Sequence, residues 1–346
     1  MAIVFSGTKL PQSQIDEIQA EIYSDWATFR ERDVNIQENH KSGTEVYESK
    51  LTVVGKAYTG AAVTATGGAD EAVQRSAVNL TKIEYSDLID YNTLLDTRFE
   101  KSMKKGAFNT VSTEFDNAVL QYITPAISES MENIVWDGAT AAQKLAIAAL
   151  VPGGGQGAIS AGAQTLVAAM PVNLHNSLPA TILYNDSQSK DTPGAGLGDY
   201  VKVGATAYTS ATIAAEYAKM FTGISPKVLN DKVNPPIIFA PLADRQLMLT
   251  ANNSVGAASN KNFLFPTEGL NSKCFYQGVE VKFKPLVDFH IVSPSKYLIL
   301  LFDLVNDMNQ IETGKMSDGA DQYYYKNVQA FATWCTNQRY ITLYGG

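Results

Sequence analysis

Val46-Tyr47-Glu48-Ser49-Lys50-Leu51-Thr52-Val53-Val54 alternates apolar and polar residues, as a strand with one covered face does. The alternation then dissolves into Ala57-Tyr58-Thr59-Gly60-Ala61-Ala62-Val63-Thr64-Ala65-Thr66-Gly67-Gly68-Ala69, a run of small residues. It resumes at Val78-Asn79-Leu80-Thr81-Lys82-Ile83-Glu84-Tyr85. Two β-rich limbs around a small, flexible tip predict a long hairpin over residues 45–87. An isolated two-stranded hairpin is marginal in water. This one must lie on something, either its own domain or another chain, and the segment alone leaves both open.

The flanking segments are helical in pattern. Over residues 12–33, Ile15, Ile18, Ile22, Trp26 and Phe29 recur at steps of three and four and make one apolar stripe. Acidic Asp16, Glu17 and Glu21 come early, basic Arg30 and Arg32 late, which suits the helix dipole. Residues 35–43 read as polar and turn-like. Beyond the hairpin, Phe108, Val111, Phe115, Val119, Tyr122, Ile123, Ile127, Met131 and Ile134 hold a single stripe. Pro125 should kink this long helix near Gln121, and Gly138 should end it. A shorter helix is expected over residues 139–150, then a glycine-rich loop at residues 152–157.

The middle of the chain alternates element types. Thr181-Ile182-Leu183-Tyr184 reads as a strand, residues 187–198 as a loop and residues 210–221 as a helix. Pro236-Ile237-Ile238-Phe239-Ala240 is a short apolar strand running into a helix over residues 242–251. Val279-Glu280-Val281-Lys282-Phe283 alternates, and Tyr297-Leu298-Ile299-Leu300-Leu301-Phe302 is continuous enough for a buried central strand. This predicts an α/β-like subdomain with a mixed sheet. The end of the chain is β again: residues 310–313, a turn at Ser317-Asp318-Gly319, a long strand through residues 323–334, and residues 339–344.

Composition narrows the function. The chain has 346 residues, of which 45% are hydrophobic and only 18% charged. A low-charge surface suits a protein that buries much of its outside against copies of itself. A net charge of −8 with no basic tail argues against a dedicated nucleic-acid binder, which needs clustered cations. Cys274 and Cys335 form no CxxC pair and read as two free thiols. No basic-then-apolar leader opens the sequence, and its apolar runs are far too short to span a bilayer.

Motifs for chemistry are weak. His40, His175 and His290 stand in no metal-binding spacing, and a structural or surface role is expected for each. There is no GxSxG elbow. Gly153-Gly154-Gly155-Gln156-Gly157 lacks the Lys-Ser/Thr of a phosphate loop, and Gly194-Ala195-Gly196-Leu197-Gly198 is not GxGxxG. Asp303, Asp307, Asp318 and Asp321 match no calcium loop. The triplet Tyr323-Tyr324-Tyr325 reads as packing on one face and interface on the other. No catalytic residue, cofactor or metal is expected.

The order of parts is a docking N-terminal helix, a long β-arm, a long spine helix, a mixed α/β region and returning strands. This order resembles the major capsid protein of tailed bacteriophages, the Hong Kong 97-like fold, an α+β architecture. Trp136-Asp137-Gly138-Ala139-Thr140-Ala141-Ala142, Pro236-Ile237-Ile238-Phe239-Ala240-Pro241 and Cys274-Phe275-Tyr276-Gln277-Gly278-Val279-Glu280-Val281 are similar to stretches of that family.

The resemblance implies a shell subunit and not an enzyme. Residues 1–44 would be the N-terminal arm and 45–87 the extended hairpin loop over a neighbour. Residues 88–171 and 310–346 would form the peripheral domain, and 172–309 the axial domain. It implies hexamers and pentamers closing an icosahedral capsid around double-stranded DNA held without sequence specificity, assembled in the host bacterial cytoplasm. A separate scaffolding protein, a portal and decoration proteins would be partners. The implied contacts with neighbours are Ile15, Ile18, Ile22, Trp26, Phe29, Tyr47, Leu51, Val53, Tyr58, Ile83 and Tyr85. Lys50, Lys56 and Lys82 lie in the arm, but no partner for a covalent cross-link is marked, and none is expected. Two alternatives remain: an encapsulin-like compartment that holds enzyme cargo, and a cytosolic α/β enzyme with a pocket near residues 194–198, where Asp191 or Asp199 would matter.

Overall fold

A computed structural model describes residues 8–9, 25–38, 40–53, 69–90, 113–152, 158–159, 161–188, 201–203, 208–222, 224, 226–254, 263–265, 273–286, 289–302, 311–315, 322–336 and 340–345. The strands, in chain order, are β1 (Thr8–Lys9), β2 (Asn35–Gln37), β3 (Thr44–Val53), β4 (Ala69–Val78), β5 (Thr81–Asp90), β6 (Val151–Pro152), β7 (Ala158–Ile159), β8 (Val201–Val203), β9 (Ile237–Pro241), β10 (Phe263–Leu264), β11 (Cys274–Tyr276), β12 (Val279–Lys284), β13 (Phe289–Ser293), β14 (Leu298–Phe302), β15 (Ile311–Lys315), β16 (Gln322–Cys335) and β17 (Thr342–Gly345). The helices are α1 (Ala27–Arg30), α2 (Thr113–Trp136), α3 (Ala141–Ala148), α4 (Ala161–Ala169), α5 (Leu178–Gln188), α6 (Ile213–Thr222), α7 (Pro226–Leu229) and α8 (Leu242–Ser254).

The spine helix α2 follows its apolar stripe: Ile123, Ile127, Met131 and Ile134 are all buried. Pro125 lies inside it on an exposed turn, where a proline removes one backbone donor. Asp137 closes the helix through its backbone N–H, and Gly138 turns the chain at φ +91°. Thr140 then caps α3, its Oγ1 accepting from the Gln143 N–H at 3.1 Å.

Two sheets share one core. In the first, one edge of β16 pairs with β5 over ten residues; the other edge pairs with β15 and then β14. The strands β1 and β2 extend that sheet. The second has the order β10-β11-β12-β9-β13-β17-β8 and mixes parallel with antiparallel pairs, the mixed sheet that the sequence pattern predicts. Alternation divides its residues between two cores. Phe239, Ile291 and Leu343 face the spine helix together with Phe331, Leu300 and Phe302 of the first sheet. Ile238, Val292 and Tyr344 face α6 and α8 on the other side. β11 and β12 join through Gln277-Gly278, both at positive φ (48° and 84°), the backbone of a type I′ hairpin.

Several expectations are corrected. The partner of β3 is β4, residues 69–78, and of the alternating stretch from Val78 to Tyr85 only Val78 belongs to it. Residues 81–85 of that stretch open β5, whose Ile83 is buried in the core that the spine helix also lines. Thr181-Ile182-Leu183-Tyr184 lies within α5, which buries Leu178, Ile182 and Asn185 against β16. Residues 35–37 form a strand on the edge of β14 and are not a turn. The helix predicted to reach residue 33 stops at Arg30, because Arg32 takes φ +50° and turns Asp33 inward. The apolar run at residues 298–302 joins the strand of residues 322–335, whereas residues 342–345 cross to the second sheet. Residues 298–302 thus lie in the first sheet and residues 342–345 in the second. The loops at residues 153–157 and 317–319, Phe108 and Val111, and the first half of the N-terminal helix lie outside the described residues.

Candidate assembly surfaces

The feature set apart from the body is the ribbon of β3 and β4. Its ten-residue limbs pair in continuous register from Thr44 with Val78 to Val53 with Ala69. At about 3.3 Å per residue each limb reaches about 33 Å. Among the described residues no third strand pairs with it.

The base of the ribbon is fastened to the body. Val78, with Val46 and Leu80 beside it, packs on Ile299, Leu301, Ala332 and Trp334. These are the outward-facing positions of β14 and β16. The inward positions Leu298, Leu300, Phe302, Phe331 and Cys335 belong to the main core, so alternation along two strands sets both the core and the seat of the ribbon. Gly43 donates to the Val78 carbonyl at 2.9 Å from φ +82°, and Leu80 donates to Ser42 Oγ at 3.2 Å.

A second feature ties the N-terminal segment to the body. Thr28 donates twice to Glu132 of the spine helix, from its N–H at 3.0 Å and its Oγ1 at 2.8 Å. Trp136 Nε1 donates to Thr28 Oγ1 at 2.7 Å. Lys284 of β12 reaches Asp33 Oδ2 at 2.6 Å and Glu132 Oε1 at 3.0 Å, and donates to Thr28 Oγ1 at 3.2 Å. Lys282 pairs with Asp33 as well, and with Glu31 at 3.6 Å. Burial alone would lower the Lys282 pKa, but Asp33, Glu280 and Glu31 outweigh it and hold the ammonium above its usual range. Asp33 and Lys284 are buried, so their charges rest on each other and not on water. An open cleft of about 1080 Å³ lies beside this network, lined by both signs of charge, including Arg30, Glu129, Lys273 and Glu280.

One buried arrangement has the look of chemistry. His290 Nε2 lies 2.6 Å from Asp244 Oδ2, Tyr217 OH donates to the same oxygen at 2.9 Å, and Tyr208 OH lies 3.3 Å from His290 Nδ1. A base oriented by a carboxylate needs a nucleophile facing a substrate. His290, Asp244 and Tyr217 are instead sealed between the second sheet, α6 and α8. The nearby Cys274 thiol is pushed up to about 12 by burial, which keeps it protonated and inert. Cys274 and Cys335 are both buried and form no disulfide. Among the described residues no group of His, Cys, Asp and Glu is arranged to hold a metal ion, and no helix is long and apolar enough to cross a membrane.

The expected contact residues fall into three sets. Trp26 and Ile83 are buried in the chain's own core, and Phe29 and Tyr85 pack on it. Trp26 stacks on Phe29 at 6.0 Å and meets Phe302 edge-on at 5.8 Å. Trp26 and Ile83 thus spend their apolar side chains within the chain, and Phe29 and Tyr85 part of theirs. Tyr47, Leu51 and Val53 lie on the ribbon, in register with Arg75, Glu71 and Ala69. Ile15, Ile18, Ile22 and Tyr58 lie outside the described residues, as do Asp191, Asp199, residues 194–198 and the four aspartates from 303 to 321. All three histidines are buried. Sequence reasoning missed the Thr28–Glu132–Lys284–Asp33 network. Its one legible signal was Lys282 and Lys284, two cations on the same side of an apolar strand.

No family model matches the sequence, and no curated protein matches it. Solved structures do. A chain from the capsid of a native GTA particle, computed with C5 symmetry, superposes with a TM-score of 0.51 at 8% identity, covering 100% of this chain and 93% of that one. A chain of the satellite phage P4 procapsid with its size-determination (Sid) protein gives 0.49 at 11% identity, covering 97% and 99%. A chain of the capsid of Myoviridae phage XM1 gives 0.49 at 9% identity, covering 92% and 91%. Over its whole length the chain has the fold of the GTA capsid chain.

Proposed function

We propose that this chain is the repeating subunit of a closed protein shell, the major capsid protein of a tailed bacteriophage with the Hong Kong 97-like fold. The observation that carries the reading is the ribbon: a two-stranded arm with a fixed base and no third strand among the described residues, on a body with a capsid-chain fold. A two-stranded ribbon of this length gains stability when its faces are covered, and a neighbouring subunit supplies that cover. Tyr47, Leu51 and Val53 occupy odd-numbered positions on one face of β3 and are the expected contact residues that lie on the ribbon's first limb. Contacts of this head-to-tail kind close into rings, which gives hexamers and pentamers. Many modest contacts summed over a lattice hold the shell.

In this reading the shell encloses double-stranded DNA without sequence-specific contacts and assembles in the host cytoplasm with a scaffolding protein, a portal and decoration proteins. The network at Thr28, Asp33, Glu132 and Lys284 holds the N-terminal segment on the spine helix, so that the arm leaves the body from a rigid seat.

The test is to replace residues 47–76 with a short Gly-Ser turn. The shortened chain should keep its thermal unfolding midpoint to within a few degrees and form no closed particles. Normal shells from it would remove the basis of the reading.

A further inference from the structure

Between Asp137 and Asp186 the chain carries a single charged residue, Lys144. Its Nζ is spent on the Met170 carbonyl. His175 in the same stretch is held at a pKa of about 4 by burial and stays neutral. The first part of the stretch holds two packed helices, α3 and α4. Gln164 Nε2 donates to the Leu150 carbonyl while Lys144 reaches Met170, so the helices run side by side in opposite directions. The exposed positions of α3 and its C-terminal turn are Ala141, Ala142, Leu145, Ala148 and Ala149, one continuous and wholly apolar helix face. An ordinary surface helix has the opposite pattern. Beside its start runs the segment that holds Val172 and Leu174, bound there by the Asn173 N–H to the Ala139 carbonyl at 2.9 Å. Leu145 is 72% exposed, Val172 69% and Leu174 66%.

Resting on the shell reading above, we infer that this face is a body-to-body contact with a second copy of the chain, separate from the ribbon. The occupant follows from the shell reading, in which copies of this chain surround the body, and charge selects the face they meet on. Each copy carries −8, so two copies repel on approach. The repulsion is least where both surfaces are uncharged, and a neutral apolar face is buried without stripping water from any ion. The depletion of charge over this face is the composition of an interface core.

The experiment compares the full-length chain with L145D/V172D and with Q246D/N253D, which adds the same two charges at exposed positions on α8. Sedimentation velocity over a concentration series reads the threshold for association, and thermal unfolding checks the fold. Both substituted sites are exposed, so the fold should persist in each variant. The expected result is that L145D/V172D raises the association threshold at least about tenfold, while Q246D/N253D follows the unaltered chain. If all three curves superimpose, the face has another use and the inference is overturned, with the shell reading intact. If the unaltered chain never associates, both fall.

Discussion

At the scale of single residues the body depends on buried charge that is fully paired. Lys284 is enclosed by Asp33, Glu132 and Thr28. Lys284→Met would strip Glu132 of its cation and leave the buried Asp33 to Lys282 alone. It should cost about 3–5 kcal/mol in urea unfolding; a cost below about 1 kcal/mol would mean that water reaches the network. His175 carries the pH dependence. Its Nε2 accepts from the Thr333 N–H at 3.1 Å, which only the neutral ring can do, and burial holds its pKa near 4. An unfolded histidine titrates near 6.5, so between these values the unfolded chain binds more protons and stability rises with pH. Acidification from about pH 7 to about pH 4 should remove about 3 kcal/mol through this residue. His175→Gln keeps an acceptor but cannot take the proton. Its unfolding free energy, lower than that of the unaltered chain at neutral pH, should close that gap on acidification. A constant gap would show that the imidazole is not the titrating group. Neither residue announced itself in the sequence, because a buried Lys or His shows its role only through partners from distant segments.

At the scale of elements the turn after the spine helix is a tight fit. Gly138 sits at φ +91°, and an added Cβ would lie 2.9 Å from Asn173 Cβ and 3.1 Å from the Pro171 carbonyl. Gly138→Ala should destabilise by about 2 kcal/mol or more, read as a lowered thermal midpoint with an unchanged far-ultraviolet spectrum. This turn was legible from Trp136-Asp137-Gly138, as were the spine helix, α3, α8 and β12, because each has either a long period or a marked end. The second limb of the ribbon was not. Ala69–Val78 reads ADEAVQRSAV and hardly alternates, whereas the strongly alternating β5 drew the assignment. The reason is physical. Alternation records burial against the chain's own body, which β5 has at Ile83 and Tyr85. The run Thr181–Tyr184 misled for a related reason: four β-formers are too few to display the spacing of Leu178, Ile182 and Asn185 that makes α5 a helix.

At the scale of the whole molecule the order of parts was more legible than its division. Successive strands near the C-terminus alternate between the sheets, β13 and β17 in the second and β14 and β16 in the first, and one core runs between both. One shared core makes the body a single platform, and in the proposed shell the ribbon and the neutral face of α3 meet neighbouring copies. The central claim is that these platforms close into shells. Electron microscopy of the purified full-length chain, over a concentration series and with sedimentation alongside, tests it directly. The account predicts closed particles or rings of five and six subunits, with each ribbon lying across the adjacent body. A monodisperse monomer at every concentration, with no particle on the grid, would contradict it.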